Sequence, residues 1–256
     1  MTGTFAAELA FAHELADLAD AISLPAFRQR LAVETKADGT PVTEIDRGVE
    51  RRLRAAIVER FPDHAILGEE DGRQGPDDAP TWIIDPIDGT RSFVTGNPVW
   101  ATLIALTDED GERVGVVSAP ALGRRWDGVR GGPAHADGRP IRVSEIGRLA
   151  DGQVTIGDLT SFARRGDADA IDRLVGATVR QRGYGDFYGF CFVAEGSMEA
   201  AVEALASQWD FAAVKCLVEA AGGRFTSFEG EATAAGGSGV ATNGLVHDEV
   251  LALLRP

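Results

Sequence analysis

Lysine is nearly absent from this sequence, and although arginine is common, acidic residues outnumber basic ones. Its 256 residues hold 25 Lys and Arg against 40 Asp and Glu, which gives a formal net charge of −15, and lysine occurs only at positions 36 and 215. A polyanion such as nucleic acid would be repelled by this charge, and no cluster of Lys or Arg offsets it. The composition therefore argues against nucleic acid as a partner, while it permits a site that collects cations.

Cysteine and long apolar runs are scarce as well. Cys191 and Cys216 are too few for a disulfide framework, so we expect a reduced, cytoplasmic compartment. No apolar run reaches the roughly 18 residues that a membrane span needs. The first twenty residues carry acids and no basic segment, so no signal peptide is predicted.

The bulk composition is that of an ordinary globular protein, with 44% hydrophobic and 25% charged residues. We expect a mixed α/β (α+β) fold with two fused subdomains, residues 1–145 and 146–256. Apolar positions spaced three and four apart predict helices over 5–22 and 43–61, the second ended by Pro62. The remaining predicted helices are 168–175, 187–195, 211–221 and 247–254.

Short apolar runs between turn residues predict the strands. In the first half, the segments 99–107, 113–118 and 141–143 follow one another as a meander, with turns at Asp110 and Asp137. The other predicted strands are 31–36, 65–67, 82–84, 178–182, 200–205, 225–228 and 239–242. The segments 37–42 and 71–80 are predicted as loops.

The most informative segment is Trp82-Ile-Ile-Asp-Pro-Ile-Asp-Gly-Thr90, in which two carboxylates, Asp85 and Asp88, follow an apolar strand. Carboxylate oxygens are the ligands that hard divalent cations prefer. Gly89 and Thr90 then open a helical turn, whose backbone N–H groups favour an anion such as phosphate. The alternative is a simple capped turn, because Asp-Pro and Asp-Gly are common turn dipeptides.

Further acids lie where other predicted strands end or helices begin. Glu69 follows Gly68, and Asp210 precedes the predicted helix 211–221. Their simpler interpretations are a solvated loop and a helix N-cap. Asp46 forms a Thr-x-x-Asp capping pattern with Thr43, so its role also has a structural alternative. Together, these acids fit a carboxylate-lined metal site assembled from distant parts of the chain.

The sequence lacks the motifs of several other kinds of catalytic site. The four histidines form no zinc motif, and neither G-x-S-x-G nor G-x-x-x-x-G-K-[ST] occurs. An Asp-x-Asp-Gly-Thr segment would suggest an aspartyl-phosphate phosphatase, but the spacing here is one residue longer. We therefore do not expect covalent catalysis through Asp85.

Three segments together resemble the signatures of the inositol monophosphatase family. These are Gly-Glu-Glu at 68–70, the segment 82–90, and Trp-Asp at 209–210 with Ala-Gly-Gly at 221–223. The resemblance spans nearly the whole chain and includes Asn243-Gly244. It implies an αβαβα layered sandwich and Mg²⁺-dependent hydrolysis of phosphate monoesters. It also implies inhibition by Li⁺ and, often, a homodimer.

The resemblance implies a set of metal ligands. Glu69, Asp85 and the Ile87 carbonyl would hold a first Mg²⁺, and Asp85, Asp88 and Asp210 would hold a second. Glu69 would also lie near a third, weaker ion. This ligand set agrees with the general chemistry of metal-assisted displacement, in which the cations activate water and stabilise the departing oxygen.

The same resemblance implies the residues that handle phosphate and water. The N–H groups of Gly89 and Thr90 would bind phosphate. The Thr90 hydroxyl, paired with Asp46, would orient the attacking water. Glu69 would act in catalysis through its metal.

Two features resemble the histidinol-phosphate phosphatase branch of this family, of the actinobacterial type. Arg91 follows Asp-Gly-Thr, and Asp186 stands where inositol enzymes carry Thr in Gly-Thr-Ala. Because a buried cation needs an anionic partner, Asp186 and Glu203 are candidates to bind the amine or imidazole of histidinol. Asp88 and Asp210 would complete this substrate wall.

Each wall residue also has a structural interpretation: Asp186 as a helix cap, Glu203 as a solvated strand residue and Arg91 as a surface cation. The alternative enzymatic function is an inositol-1-phosphate or broad sugar-phosphate phosphatase. A nucleotide 3′-phosphatase is disfavoured because no basic patch serves a second phosphate. A non-catalytic interaction protein that keeps the fold is disfavoured because the predicted metal ligands are intact.

Overall fold

The computed structural model describes residues 5–29, 32–36, 39 and 41–255. Within them the helices are α1 Ala6–Ala26, α2 Glu44–Arg60, α3 Thr90–Thr95, α4 Leu159–Arg165, α5 Ala168–Ala177, α6 Asp186–Ala194, α7 Gln208–Ala220 and α8 His247–Leu254. None of these helices is long and apolar enough to cross a membrane.

The strands fall into three groups. A two-stranded ribbon contains β1 Val33–Thr35 and β2 Pro41–Thr43. An eight-stranded sheet contains β3 Ala65–Gly68, β4 Gly72–Gln74, β5 Thr81–Asp88, β6 Ala101–Asp108, β7 Gly111–Ala119, β8 Arg124–Val129, β9 Ala134–Ala136 and β10 Arg139–Ile141. A five-stranded sheet contains β11 Gln153–Ile156, β12 Arg180–Arg182, β13 Ala200–Glu203, β14 Arg224–Thr226 and β15 Gly239–Thr242.

The elements stack in five layers, as the predicted αβαβα sandwich requires. One apolar core joins α1 and α2 to the outer face of the large sheet. A second core contains α6 and α7 together with side chains from both sheets, so these helices form the middle layer. A third core joins α4, α5 and α8 to the far face of the small sheet. The prediction of an α/β layered sandwich is therefore confirmed.

The large sheet contains the predicted meander. From β5 to β10, each strand pairs antiparallel with the next, in the order β10-β9-β8-β7-β6-β5. β5 also pairs in parallel with β3 on its other side. All eight residues of β5 are buried, because helices cover both faces of the sheet there. Its two aspartates consequently lie in an environment where an unpaired charge is costly.

Helix α7 belongs to the second half of the sequence but packs on the sheet of the first half. The two surfaces meet closely at Gly115 of β7, where a Cβ atom would lie 2.4 Å from the Ala213 carbonyl oxygen. Gly128 of β8 makes a similar approach to Leu217. The division near residue 145 stays a prediction, since the two halves share this core.

Several predicted boundaries are wrong. The segment 71–80 contains β4, and residues 41–43 form β2 although 37–42 was predicted as a loop; residues 31, 37, 38 and 40 lie outside the described part. Helix α1 continues to Ala26, past Pro25, and α7 begins at Gln208 rather than Phe211. Strands β8, β9 and β11 and helix α4 were not predicted, because their short segments carry few apolar residues in sequence.

Candidate active site

The end of β5 brings the first two predicted metal ligands together. Pairing with β6 is irregular between Asp85 and Asp88, so the strand is distorted between them. Asp85 accepts the N–H of Ile87 at 2.9 Å, and Asp88 accepts the N–H of Phe187 at 2.6 Å. The second bond ties the large sheet to the start of α6.

Asp210 lies in the first turn of α7, where its side chain accepts the N–H of Ser207 at 2.6 Å. The two residues form a capping box in which Ser207 is the N-cap, so the alternative interpretation of Asp210 as an N-cap is wrong. This geometry holds the Asp210 carboxylate at the helix start, facing the end of β5.

Three carboxylates meet at this point. One oxygen from each of Asp85, Asp88 and Asp210 lies within 4.8 Å of the others. Burial raises the pKa of Asp85 and of Asp88 well above the usual range, and the neighbouring acids add to the effect. Burial likewise raises the pKa of Asp210 to about 6. A cluster whose charges repel one another in a low-dielectric site suits a multivalent cation.

Glu69 completes the acidic wall from the turn after β3. Burial raises its pKa, whereas Lys36, 2.7 Å from its carboxylate, opposes that rise. Lys36 also lies 2.5 Å from Glu70. Burial alone would lower the pKa of Lys36, but its hydrogen bonds to both glutamates raise it. Sequence reasoning missed this lysine, although its rarity in the chain was an available signal.

Helix α3 begins beside the cluster, at Gly89. Gly89 adopts a φ of +83°, and a Cβ atom there would lie 3.0 Å from the Val99 carbonyl oxygen. Only glycine meets both constraints readily. The Thr90 hydroxyl lies 3.4 Å from Asp46 and 3.1 Å from the Ile87 carbonyl oxygen. The Ile87 carbonyl, a predicted metal ligand, therefore faces this helix start.

Asp46 both takes part in the capping box of α2 and lies beside the Thr90 hydroxyl. It accepts the N–H of Thr43 at 2.9 Å, as the capping box of α2 requires. Its other oxygen is the one that lies near the Thr90 hydroxyl. Burial raises the pKa of Asp46. The capping role and the proximity to Thr90 are therefore compatible.

Asp186 lies at the mouth of the site as the first residue of α6. It does not cap the helix, because Gly185 is the N-cap and no side-chain capping bond forms. Its φ of +54° is uncommon for any residue with a side chain. The residue as a whole is solvent-exposed, but neighbouring protein atoms shield its carboxylate from water. This loss of hydration raises the pKa of Asp186, and the charge of Asp158 adds to the effect.

Glu203 lies behind Asp186, at the end of β13. Its carboxylate accepts the N–H groups of Asp158 at 3.3 Å and Ala204 at 3.1 Å. Burial raises its pKa to about 7, with a contribution from the charge of Asp186. Both acids line a small cleft between α6 and β13, which also contains Tyr184. Sequence reasoning missed Asp158 and Tyr184 at this wall.

A single cavity of about 250 Å³ joins most of these groups. Its lining comprises Pro41, Glu69, Asp85, Ile87, Asp88, Gly89, Thr90, Arg91, Asp186 and Asp210. Arg91 lies on the exposed side, where its guanidinium is 3.4 Å from the Gly39 carbonyl oxygen. The structure thus brings together all the predicted site residues except Asp46, which lies beneath Thr90, and Glu203, which lies behind Asp186.

The layered sandwich and the acidic cavity define the class of protein: a phosphatase of the αβαβα type. The model of the inositol monophosphatase family matches residues 6–256, and the chain belongs to this family.

Similar proteins confirm the predicted resemblance to histidinol-phosphatases within this family. A histidinol-phosphatase of Mycobacterium tuberculosis is 46% identical over 254 residues, which cover 97% of this chain and 98% of that protein. A histidinol-phosphatase of Streptomyces coelicolor is 41% identical, with 97% of each chain covered. Among solved structures, an inositol monophosphatase of Thermotoga maritima has a TM-score of 0.87 at 33% identity, covering 97% of this chain and 96% of that one.

Proposed function

We propose that this chain is a Mg²⁺-dependent phosphatase that hydrolyses L-histidinol phosphate to L-histidinol and phosphate, a step of histidine biosynthesis. The observation that carries the proposal is the shared cavity. The acidic cluster Asp85, Asp88 and Asp210 and the carboxylate of Asp186 line this one cavity, and the charge of Asp186 is felt by both Asp88 and Asp210. The names and full-length similarity of the two bacterial relatives support the substrate.

The residues present fit Mg²⁺. The cluster offers buried carboxylate oxygens within 4.8 Å of one another, and Mg²⁺ prefers oxygen ligands. Asp85, Asp88, Asp210, Glu69 and the Ile87 carbonyl would hold two or three ions, as the family resemblance implies. When bound, Mg²⁺ supplies Lewis-acid stabilisation and an activated water.

The chain's own groups bind and orient the reactants. The N–H groups of Gly89 and Thr90, at the start of α3, would donate to the phosphate oxygens. The Thr90 hydroxyl and Asp46 would orient water for a direct attack on phosphorus, without a phosphoenzyme. Arg91 lies at the rim of the same cavity, where its charge favours an anionic substrate.

The leaving group would meet the acidic wall of α6 and β13. Asp186 would pair with the amine or imidazole of histidinol, and Glu203 would add negative charge behind it. Within the described part of the chain, no basic side chain pairs with Asp186 or Glu203, so this wall favours a cationic alcohol over a neutral sugar or inositol. The homodimer and the cytoplasmic location stay predictions.

The test measures phosphate release from L-histidinol phosphate with Mg²⁺ and after removal of metal by EDTA. We expect activity only with the metal. Asp88→Asn should lower kcat by several orders of magnitude in saturating Mg²⁺, because it removes a ligand that stabilises the departing oxygen. A near wild-type kcat for this variant, or activity in EDTA, would contradict the proposed site.

A further inference from the structure

A buried acid outside the cavity, Glu50 of α2, makes a set of contacts that the proposed function does not use. Its side chain is fully buried, with 0% exposure. The carboxylate accepts the N–H groups of Glu70 at 2.8 Å and Asp71 at 3.0 Å. It also accepts the Nε–H of Arg54, one helical turn away, at 2.8 Å. Charge-assisted hydrogen bonds of this kind are stronger than neutral ones.

The two backbone N–H groups belong to the turn that carries Glu69. On the side towards β5, the N–H of Glu69 itself lies 3.3 Å from the Ile84 carbonyl oxygen. On the other side, the next two N–H groups along the chain are held by Glu50. The backbone of Glu69 is thus fixed from both directions, and its side chain is left facing the cavity.

The Glu50 carboxylate also explains why position 68, just before this turn, is glycine. A Cβ atom on Gly68 would lie 2.2 Å from the Glu50 carboxylate. The φ of Gly68 is not in the positive range, so space rather than backbone freedom requires glycine here. Arg54 closes the arrangement by donating to the Gly72 carbonyl oxygen beyond the turn. Helix α2 and the turn are therefore fitted to each other around one carboxylate.

We infer that Glu50 is a positioning residue for the metal site, which holds the turn at 68–71 so that Glu69 presents its carboxylate to the cation. This inference rests on the proposed function, in which Glu69 is a metal ligand. Groups that orient metal ligands without touching the metal typically contribute about 10- to 100-fold to metal affinity. Because Glu50 acts through the backbone, we expect an effect near the lower end of that range.

The test is calorimetric titration of the metal-free protein with Mg²⁺. Glu50→Gln should raise the dissociation constant about 10-fold, because an amide NH₂ group would replace one of the two oxygens that accept the backbone N–H groups. Asp127→Asn is the matched control. Asp127 is also a buried acid, hydrogen-bonded at 2.9 Å to Nδ1 of His135 and 3.6 Å from His13, and these partners lie on β9 and α1, which carry no proposed metal ligand. It should lose stability and keep its Mg²⁺ affinity.

A second variant covers the case in which Glu50→Gln does not fold. Glu50→Asp keeps the charge beside Arg54 but shortens the reach to the turn by about 1.5 Å, so it should also weaken Mg²⁺ binding. A dissociation constant equal to that of wild type in the folded variant would overturn the inference. An equal loss in Asp127→Asn would overturn it too.

A third variant separates this inference from the proposed function. Glu69→Gln removes the ligand itself and should weaken Mg²⁺ binding more than either change at Glu50. If Glu69→Gln is weakened and the Glu50 variants are not, the positioning role is wrong and the metal site stands. If Glu69→Gln binds Mg²⁺ as well as wild type, the metal assignment falls, and the role of Glu50 falls with it.

Discussion

Single carboxylates at this site are oriented by the backbone before any ligand binds. Each carboxylate of the central cluster accepts one backbone N–H through one oxygen. Asp85 accepts that of Ile87, Asp88 that of Phe187, and Asp210 that of Ser207. Such bonds favour the charged form, whereas burial opposes it more strongly and raises all three pKa values. The residues are thus prepared for a cation that would offset the cost of burying their charge.

Asp186 is the residue at which substrate selection can be tested. Asp186→Asn removes the charge while it keeps the backbone, because Asn tolerates the left-handed conformation as well as Asp does. Losing a charge-assisted hydrogen bond costs about 1.5–3 kcal/mol, and the exposure of this residue favours the lower value. We therefore expect kcat/KM for histidinol phosphate to fall about 10-fold.

The control for Asp186→Asn is a phosphate ester of an uncharged alcohol, such as inositol 1-phosphate, assayed with the same variant. Its kcat/KM should change little, since the metal ligands and phosphate donors are untouched. Equal losses on both substrates would show that Asp186 is structural, and no loss on either would remove it from the site.

At the scale of elements, the placement of Asp210 depends on how closely α7 approaches the large sheet. Gly115→Ala puts a methyl group 2.4 Å from the Ala213 carbonyl oxygen, so the helix or the strand must shift. Overpacking of this kind costs about 1–3 kcal/mol. We expect thermal unfolding to show a melting temperature lower by several degrees.

A second glycine provides the matched control for that change. Gly48 lies within α2 and does not need a positive φ, and among the described residues no atom beyond its own stretch of helix lies within 4 Å of its Cβ position. Gly48→Ala should therefore stabilise the protein by about 0.5–1 kcal/mol through helix propensity. If both variants melt at the same temperature, the contact at Gly115 does not set the approach of α7.

At the scale of the whole molecule, the net charge of −15 and the buried acids make the metal-free protein sensitive to pH. The pKa of Asp210 is raised to about 6 and that of Glu203 to about 7. The folded state therefore binds protons more tightly than the unfolded state, and stability is lost as the pH rises from about 4 through 7. In EDTA, the melting temperature should fall between pH 5 and pH 8.

The pH dependence of the melting temperature can be compared between the metal-free protein and the protein in excess Mg²⁺. Bound cations would replace the protons of the cluster, so the fall between pH 5 and pH 8 should be smaller in excess Mg²⁺. Asp210→Asn should flatten the curve in EDTA, since it removes one of the acids. An identical fall with and without Mg²⁺ would place the sensitivity elsewhere in the molecule.

The sequence was most informative where the chemistry is local. Asp85, Asp88, Gly89 and Thr90 lie within six residues, so their motif and their structure coincide. The Ser207–Asp210 capping box is equally local, but the predicted helix 211–221 begins three residues after the true start of α7 at Gln208. A Ser-x-x-Asp pattern before an apolar run would have given the correct start.

Contacts between distant residues could not be predicted in the same way. Lys36 reaches Glu69 across 33 positions, and nothing in the local sequence of either residue specifies the pair. Glu50 did carry a signal: it is a charged residue on the buried face of α2, beside Val49 and Leu53. Its partners, however, are backbone groups of another element, which only the packing of α2 against β3 brings within reach.

We propose that the acidic cavity selects a phosphate monoester whose alcohol part carries a positive charge. The direct test compares kcat/KM of the wild-type protein for L-histidinol phosphate and for inositol 1-phosphate, side by side in saturating Mg²⁺. We predict a preference for histidinol phosphate of at least about 10-fold, which corresponds to one charge-assisted hydrogen bond. Equal values, or a preference for inositol 1-phosphate, would contradict it and favour an inositol or broad sugar-phosphate phosphatase.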